Sequence, residues 1–322
     1  MKVSALVTGV GAVIGQGIIK SLQAADLPVR IIGVDANPDA VGFAWTDAAY
    51  TVPMASSPGW ADAMLEICGK ESVDILMPGI EQDVKALLLN LDRFGAEVKA
   101  FPMLNSAEAL RVGFDKWDLR RFALEKGILT PETWLTKELT EADVASLEYP
   151  VLLKPRKGMA SKGIYKAANS DEYHRWLACV EPDEYITQKY KGNDGEEYTV
   201  SVFGFKGGGL SRPFALRRKL NYGSTFEAET VQDSKLDGVA LNIATRLKVA
   251  GPSNFQFRKE GGEYYLMEVN PRFSSSTSIK SIFGFNEPAM AIRSFVLGEP
   301  SAPLDLKKGK CFRYIADHAR FE

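Results

Sequence analysis

Histidine and cysteine are scarce in this 322-residue sequence, which holds two of the first and three of the second. Neither His174 nor His318 stands near a Cys, His or carboxylate at metal-ligand spacing, which argues against zinc hydrolase chemistry and against serine or cysteine triads. Cys68, Cys179 and Cys311 lie far apart, so neither a disulfide framework nor a CxxC site is indicated, and the thiols read as packing groups. No block of like charge interrupts a balance of 39 basic against 41 acidic residues, net −2, and nucleic acid is not an expected partner. No apolar run approaches the roughly 18 residues that span a bilayer, and no charged n-region precedes the first strand pattern, so no membrane partner and a cytoplasmic location are expected. Internal repeats, low-complexity tracts, long linkers and heptads are also missing; this argues against tethered modules and leaves the oligomeric state, a homodimer included, open.

What is present is a globular composition, with 45% apolar and 25% charged residues, in a chain longer than one core usually organises. Two or three packed units with a cleft between them follow. Residues 3–8, VSALVT, read as a buried strand, followed by the glycine turn GVGAVIGQG and the apolar-periodic helix IIKSLQAA. VRIIGVD, a helix around 60–70 and VDILMP continue a strand–helix alternation that implies a parallel sheet over residues 1–107. From 108 two helical stretches, AEALRVG and DKWDLRRFALEKG, lead into a strand-rich region, YPVLLKP to GKCFRYIADH, that reads as antiparallel sheet. KEGGE is a hairpin turn within it, and helices at about 234–248 and 287–297 cover it.

Three segments carry chemistry. Gly9, Gly11, Gly15 and Gly17 follow a strand and open a helix, so their N–H groups either hold an anion or merely permit a tight turn. Their spacing is GxGxxxG rather than the dinucleotide GxGxxG, although Asp35 stands where a ribose-binding acid would lie. In YPVLLKPRKGMASKGIYKA, Lys154 ends an apolar strand and Lys157, Gly158, Ser161, Lys162 and Gly163 form a loop before the next strand. A flexible, glycine-containing, basic loop can close over a polyphosphate, and an ammonium projecting from a strand built for burial needs an anionic partner. Finally, SNFQFRKE and YYLMEVNPR are joined by a tight turn and should pair. Alternation puts Glu268 and Asn270 on one face and makes Gln256 a candidate for the same face, a set of oxygen donors suited to Mg²⁺ completed by substrate phosphates. Arg272 follows within reach of a transferred phosphoryl group.

In this order the segments resemble the ATP-grasp superfamily over nearly the whole chain, and within it the synthetase domains of the carbamoyl-phosphate synthase large subunit and stand-alone carboxylate-amine ligases. DKWDLRRFALEKGILTPET is similar to the entry helix and its exit, ITQKYKGNDGEEYTVSVF to the hinge and ribose strand, and SNFQF with MEVNPRFSSS to the metal strands. The resemblance implies a mixed α/β and α+β fold: a Rossmann-like pre-ATP-grasp domain (1–107), then an ATP-grasp domain (108–322). The latter divides into a subdomain of about 108–186 with the glycine-rich lid and one of about 187–322 with the metal strands, the two enclosing the nucleotide.

It further implies that Lys116 and Lys154 contact ATP phosphates, as do Gly158, Ser161, Lys162 and Gly163 of the lid. Adenine would sit by Gln188, Lys189 and Tyr190, and Glu197 near the ribose or a monovalent cation, with Glu196 as an alternative. Gln256, Glu268 and Asn270 would hold one or two Mg²⁺, for which Mn²⁺ could substitute, and Arg272 would assist phosphoryl transfer beside Lys154. Gln256 stands where many members have an acid, and Ser275 where those synthetases often carry a second arginine, so bicarbonate is not the expected substrate. Nor is carbamoyl phosphate synthesis expected of a polypeptide with no second synthetase half, oligomerisation domain or glutaminase. Gly11, Gly79, Glu81, Gln82 and Asp83 are candidates for contacts to a small carboxylate or amine substrate, with a solvated helix cap as the alternative for Glu81 and Asp83. The activity implied is carboxylate activation as an acyl phosphate by Mg-ATP and its coupling to an amine. Two alternatives stand beside it: a nicotinamide oxidoreductase built on the first glycine turn, and a nucleotide-binding protein without turnover.

Overall fold

A computed structural model describes residues 2–158, 163–193, 197–221 and 223–319. Among these are three sheets. The first has strands β1 (Val3–Thr8), β2 (Val29–Asp35), β3 (Ala48–Thr51), β4 (Ile75–Met77) and β5 (Phe101–Pro102), in the order β3-β2-β1-β4-β5. All of its pairings are parallel. Its helices are α1 (Val13–Gln23), α2 (Trp60–Lys70), α3 (Glu81–Leu89) and α4 (Leu91–Glu97). β4 and the central ALV of β1 are apolar throughout because core packs on both sheet faces: Ala5 and Ile18 belong to one cluster, Leu6 and Trp60 to another.

Helices α5 (Ala107–Phe114) and α6 (Lys116–Glu125) follow, each opened by a side-chain cap, from Ser106 and Asp115. The second sheet holds β6 (Thr133–Leu135), β7 (Val151–Pro155), β8 (Tyr165–Ala167) and β9 (Tyr185–Lys189), in the order β6-β9-β7-β8, with α7 (Glu141–Ser146) and α8 (Ser170–Leu177). Val151 and Leu153 join its core with Tyr173, so Leu152 and Lys154 project from the other face.

The third sheet comprises β10 (Glu197–Gly204), β11 (Phe214–Asn221), β12 (Ser224–Val231), β13 (Gly251–Glu260), β14 (Glu263–Asn270) and β15 (Lys310–Phe312), ordered β14-β13-β10-β11-β12-β15. All of its pairings are antiparallel. α9 (Ser234–Arg246), α10 (Thr277–Ile282) and α11 (Glu287–Ala291) complete the described helices. Tyr198, Val200, Phe255, Phe257 and Leu266 pack on Leu236, Ala240 and Ile243 of α9. At roughly 1.5–3 kcal/mol for each large apolar side chain removed from water, this face anchors the sheet. Its opposite face is mixed: Phe203, Phe214, Leu216 and Ala228 join the core cluster of the first sheet, and Thr199, Ser201, Asn254 and Gln256 form a polar stretch beside them.

Along β14 a strict alternation from Leu266, a core residue, would send Glu268 into the core. The register shifts there: Gln256 pairs with Glu268 but the next residue, Phe257, pairs with Leu266, so Met267 is an unpaired bulge residue. The bulge re-aims the strand end, placing Glu268 and Asn270 beside that polar stretch.

Candidate active site: a cation-rich cleft between three sheets

One cavity of about 770 Å³ lies where the three sheets meet. β13 and β14 supply its floor: Gln256 and Glu268 are directly opposed, as are Asn254 and Asn270, and all four line the cavity. Opposed side chains on one face of an antiparallel pair stand roughly 4.5–5.5 Å apart at Cβ. Among the described residues no group of three His, Cys, Asp or Glu side chains is arranged to hold a metal ion. A divalent ion here would therefore rest on one carboxylate and neutral amides, with phosphates completing its shell. That donor set fits Mg²⁺ and not a soft transition metal.

Lys154 comes from the polar face of β7 and is 9% exposed. Its ammonium donates to Gln188 Oε1 at 2.8 Å, and Gln188 Nε2 donates to Thr133 Oγ1 at 3.0 Å. Burial, then the neighbouring Lys116 and Arg258, pull its pKa down to about 8 against the fields of Glu268 and Glu197. Lys116, at the first turn of α6, is also lowered by burial, with Glu268 and Glu81 opposing the shift; its ammonium lies 3.3 Å from the Gly158 carbonyl. Among the described residues neither ammonium has a carboxylate within ion-pair distance, and a polyphosphate would supply the anion.

Arg272 leaves the end of β14 to meet Glu81 at 3.2 Å, and Lys85 meets the same carboxylate at 2.8 Å. Glu197 is bracketed by guanidinium groups: Arg218 donates to its Oε1 at 2.6 and 3.2 Å, and Arg258 approaches Oε2 at 3.8 Å. Arg258 also stacks on Tyr190, 5.1 Å from the ring centroid. Lys116, Lys154, Arg218, Arg258 and Arg272 thus line the cavity against Glu81, Glu197 and Glu268, an excess of two positive charges suited to a nucleotide.

Of the residues singled out from sequence, Lys116, Lys154, Gly158, Tyr190, Glu197, Gln256, Glu268, Asn270, Arg272, Ser275, Gly79, Glu81 and Gln82 line this one cavity. Ser161, Lys162 and Glu196 lie outside the described residues. Gly163, Gln188, Lys189, Gly11 and Asp83 are not among its lining. Gln188 acts from beneath Lys154, and Lys189 is paired with Glu148. Gly11 gives its N–H to Asp35 Oδ2 at 2.8 Å. Asp83 is 4% exposed and accepts from Thr8 Oγ1; burial, opposed by that bond, lifts its pKa to about 6. Sequence reasoning passed over Arg218, Arg258, Asn254 and Ser274, all in the lining. Asn254 and Arg258 flank Gln256 at period two and were legible; nothing in LRRKL singles out Arg218.

The first glycine turn is tightly packed. A Cβ on Gly15 would stand 2.2 Å from the Gly9 carbonyl oxygen, and one on Gly79 2.1 Å from that of Thr8. Asp35 is held by the N–H groups of Gly11 and Asn37, which closes the turn. α1 nevertheless reaches the cavity through Ala12, Val13 and Ile14.

A Rossmann-like sheet followed by two antiparallel sheets around a cation-rich cleft is the arrangement of the ATP-grasp fold. Residues 191–317 match the family described as "ATP-grasp in the biosynthetic pathway with Ter operon", and residues 6–100 match "PylC-like, N-terminal domain". The two matches place an ATP-grasp region behind a PylC-like N-terminal domain. It is 23% identical over 315 residues to a formate-dependent phosphoribosylglycinamide formyltransferase of a Nitratiruptor species, covering 94% of this chain and 78% of that protein. It is 23% identical over 258 residues to a carbamoyl-phosphate synthase of Methanobrevibacter smithii, covering 76% and 68%. N5-carboxyaminoimidazole synthetase from Staphylococcus aureus, solved with ADP, superposes with a TM-score of 0.74 at 17% identity, covering 95% of this chain and 81% of that one. The biotin carboxylase domain of Hydrogenobacter thermophilus 2-oxoglutarate carboxylase, solved with MgADP, ADP and bicarbonate, gives 0.74 at 15% identity, covering 95% and 73%. At such identities the structural likeness speaks for the fold.

Proposed function

We propose that the chain is an ATP-dependent ligase that uses Mg-ATP to convert a small-molecule carboxylate into an acyl phosphate and couples it to an amine, releasing ADP and phosphate. The observation that carries this reading is the cross-strand pair Gln256–Glu268 facing Lys116 and Lys154 over one cleft. Relatives named for formate-dependent formyl transfer and carbamoyl phosphate synthesis support it.

In this reading Lys116 and Lys154 neutralise the phosphates beside Gly158. Tyr190, with Arg258 stacked on it, forms a wall for the base. Gln256, Glu268 and Asn270 would hold Mg²⁺, for which Mn²⁺ could substitute, and the ion would supply charge neutralisation. A carboxylate oxygen attacks the terminal phosphorus in line, the bond to the ADP oxygen breaks, and Arg272 offsets the charge on the group in transfer. Glu81 holds Arg272 before substrate arrives, and Gln82 beside it contacts the acceptor or the acid. Positioning and electrostatics suffice for this chemistry, in keeping with a site that lacks histidine and cysteine. Arg218 and Arg258 occupy both sides of Glu197, which favours a role for this acid in fixing their guanidinium groups over binding a monovalent cation. We further propose that residues 1–107 form the substrate-binding domain, that 108–322 form the ATP-grasp domain, and that the protein acts in the cytoplasm, alone or as a homodimer.

Screening pairs of carboxylates and amines for ADP release tests the activity. Glu268→Ala should abolish release with an unchanged circular dichroism spectrum. Full release by that variant would refute the assignment.

A further inference from the structure

Lys280 and Glu287 are both 0% exposed and form an ion pair at 2.6 Å behind the cleft. Neither side chain lines the cavity, and no step proposed above uses them. A buried pair of this kind is rarely kept for stability alone, because desolvation offsets most of the attraction. Its connections lead into the site. Lys280 Nζ donates to Ser201 Oγ at 2.8 Å, and Ser201 Oγ donates to Asn254 Oδ1 at 3.1 Å. Thr199 Oγ1 donates to the same oxygen at 2.6 Å. On the other side Thr277 Oγ1 donates to Glu287 Oε2 at 3.3 Å and accepts from the backbone N–H of Ser274 at 3.1 Å.

The direction of these bonds matters. An ammonium can only donate, so Ser201 Oγ accepts from Lys280 and its own proton goes to Asn254. The amide oxygen of Asn254 is thereby held against two hydroxyl groups, and its nitrogen faces the other way. Asn254 is 1% exposed and lines the cavity, yet its Nδ2 has no hydrogen-bond partner. A buried donor without an acceptor costs about 1–3 kcal/mol and calls for a ligand. Its row, Asn254 opposite Asn270, lies one step beyond Gln256–Glu268 in the direction of Arg272. On the nucleotide reading, this is the side on which the terminal phosphoryl group lies.

We propose that Asn254 donates a hydrogen bond from Nδ2 to an oxygen of the terminal phosphoryl group, and that the Lys280–Glu287 pair is a positioning device that holds the amide in this orientation. The inference rests on the nucleotide reading of the cleft and adds a residue that discriminates tri- from diphosphate.

The test compares calorimetric affinities for Mg-ADP and for the non-hydrolysable Mg-AMPPNP, with the heat stability of each variant recorded beside them. Asn254→Leu removes the donor without adding charge, and Asn254→Asp does so at constant shape should the leucine variant fail to fold. Lys280→Met combined with Glu287→Leu replaces the ion pair by apolar groups of similar size. The expected result is an AMPPNP-over-ADP preference that falls at least about tenfold in the Asn254 variants, as for loss of a hydrogen bond to a charged group. In the double variant it should fall at least about threefold, with Mg-ADP affinity and heat stability retained. A preference within twofold of wild type in the Asn254 variants would overturn the ligand role. The same result in the double variant would show the ion pair to be structural only. Failure of the wild-type protein to bind either nucleotide would overturn the nucleotide reading together with this inference.

Discussion

Lys154 is the group that the site needs charged and whose charge the fold makes costly, so replacing it by methionine separates function from stability. Its pKa is about 8, against 10.5 for an ordinary lysine. At 1.36 kcal/mol per unit, keeping it protonated costs the free protein on the order of 3 kcal/mol. The sign follows from proton counts. Between pH 8 and 10.5 the unfolded chain holds the proton that the folded one has lost, so stability rises with pH across that window, and below it the penalty is present in full. Lys154→Met removes the penalty but leaves Gln188 Oε1 without its donor, a loss of about 1–3 kcal/mol. The variant should therefore be between equal to wild type and about 2 kcal/mol more stable at pH 7. Urea unfolding at pH 7 and pH 9.5 measures this: wild type should gain about 2 kcal/mol relative to the variant's change over that interval. Mg-ADP should raise the melting temperature of wild type and leave the variant's unchanged. Above pH 8, nucleotide binding by wild type should take up a proton, seen as a binding heat that depends on the buffer. A variant destabilised by more than about 2 kcal/mol, with a wild-type pH slope and an intact response to Mg-ADP, would refute the reasoning.

Asp83, lifted by burial to about 6, is stabilising only while protonated, and this contribution is lost as pH rises from about 4 through 6. Asp83→Asn should flatten that segment of the stability profile and, retaining a partner for Thr8, unfold at higher urea than wild type at pH 7. Gly79→Ala places a methyl group 2.1 Å from the Thr8 carbonyl oxygen and should cost about 3 kcal/mol or more, read as a lowered urea midpoint with or without nucleotide. Gln256→Glu sets a second carboxylate directly opposite Glu268. It should lower the Mg²⁺ concentration needed for half-maximal ADP binding roughly tenfold, the equivalent of about 1.4 kcal/mol, measured by titration at fixed nucleotide.

Much of the cavity lining was legible because its polar residues follow strand periodicity. Lys154 ending an apolar strand, and Glu268 and Asn270 two residues apart before Pro271, announce a polar face by alternation alone. Two things were not legible. The bulge at Met267 has no turn residue to mark it, yet it brings Glu268 opposite Gln256 rather than into the core. Arg218 becomes a cavity residue only through the pairing of β10 with β11, a contact between residues about 20 apart that no local pattern encodes. In the first domain, strand–helix alternation conveyed the parallel sheet, whereas the glycine spacing left anion binding and tight packing equally open. The carbonyl contact of Gly15 shows that tight packing requires glycine at that position of the turn. A boundary near residue 186 falls inside β9, which pairs with β6 and β7, because strand propensity around DEYITQKY gives no hint of which sheet it joins.

The central claim is that a divalent ion bridges a nucleotide to side chains from two adjacent strands, β13 and β14. Crystals of the protein grown with Mn²⁺ and AMPPNP test it directly through the anomalous signal of the metal. A peak bonded to Glu268 and Gln256 and to phosphate oxygens, with Lys154 on the same phosphates, is the expected result. Nucleotide seated on the glycine turn ahead of α1, with no metal beside Glu268, would contradict it.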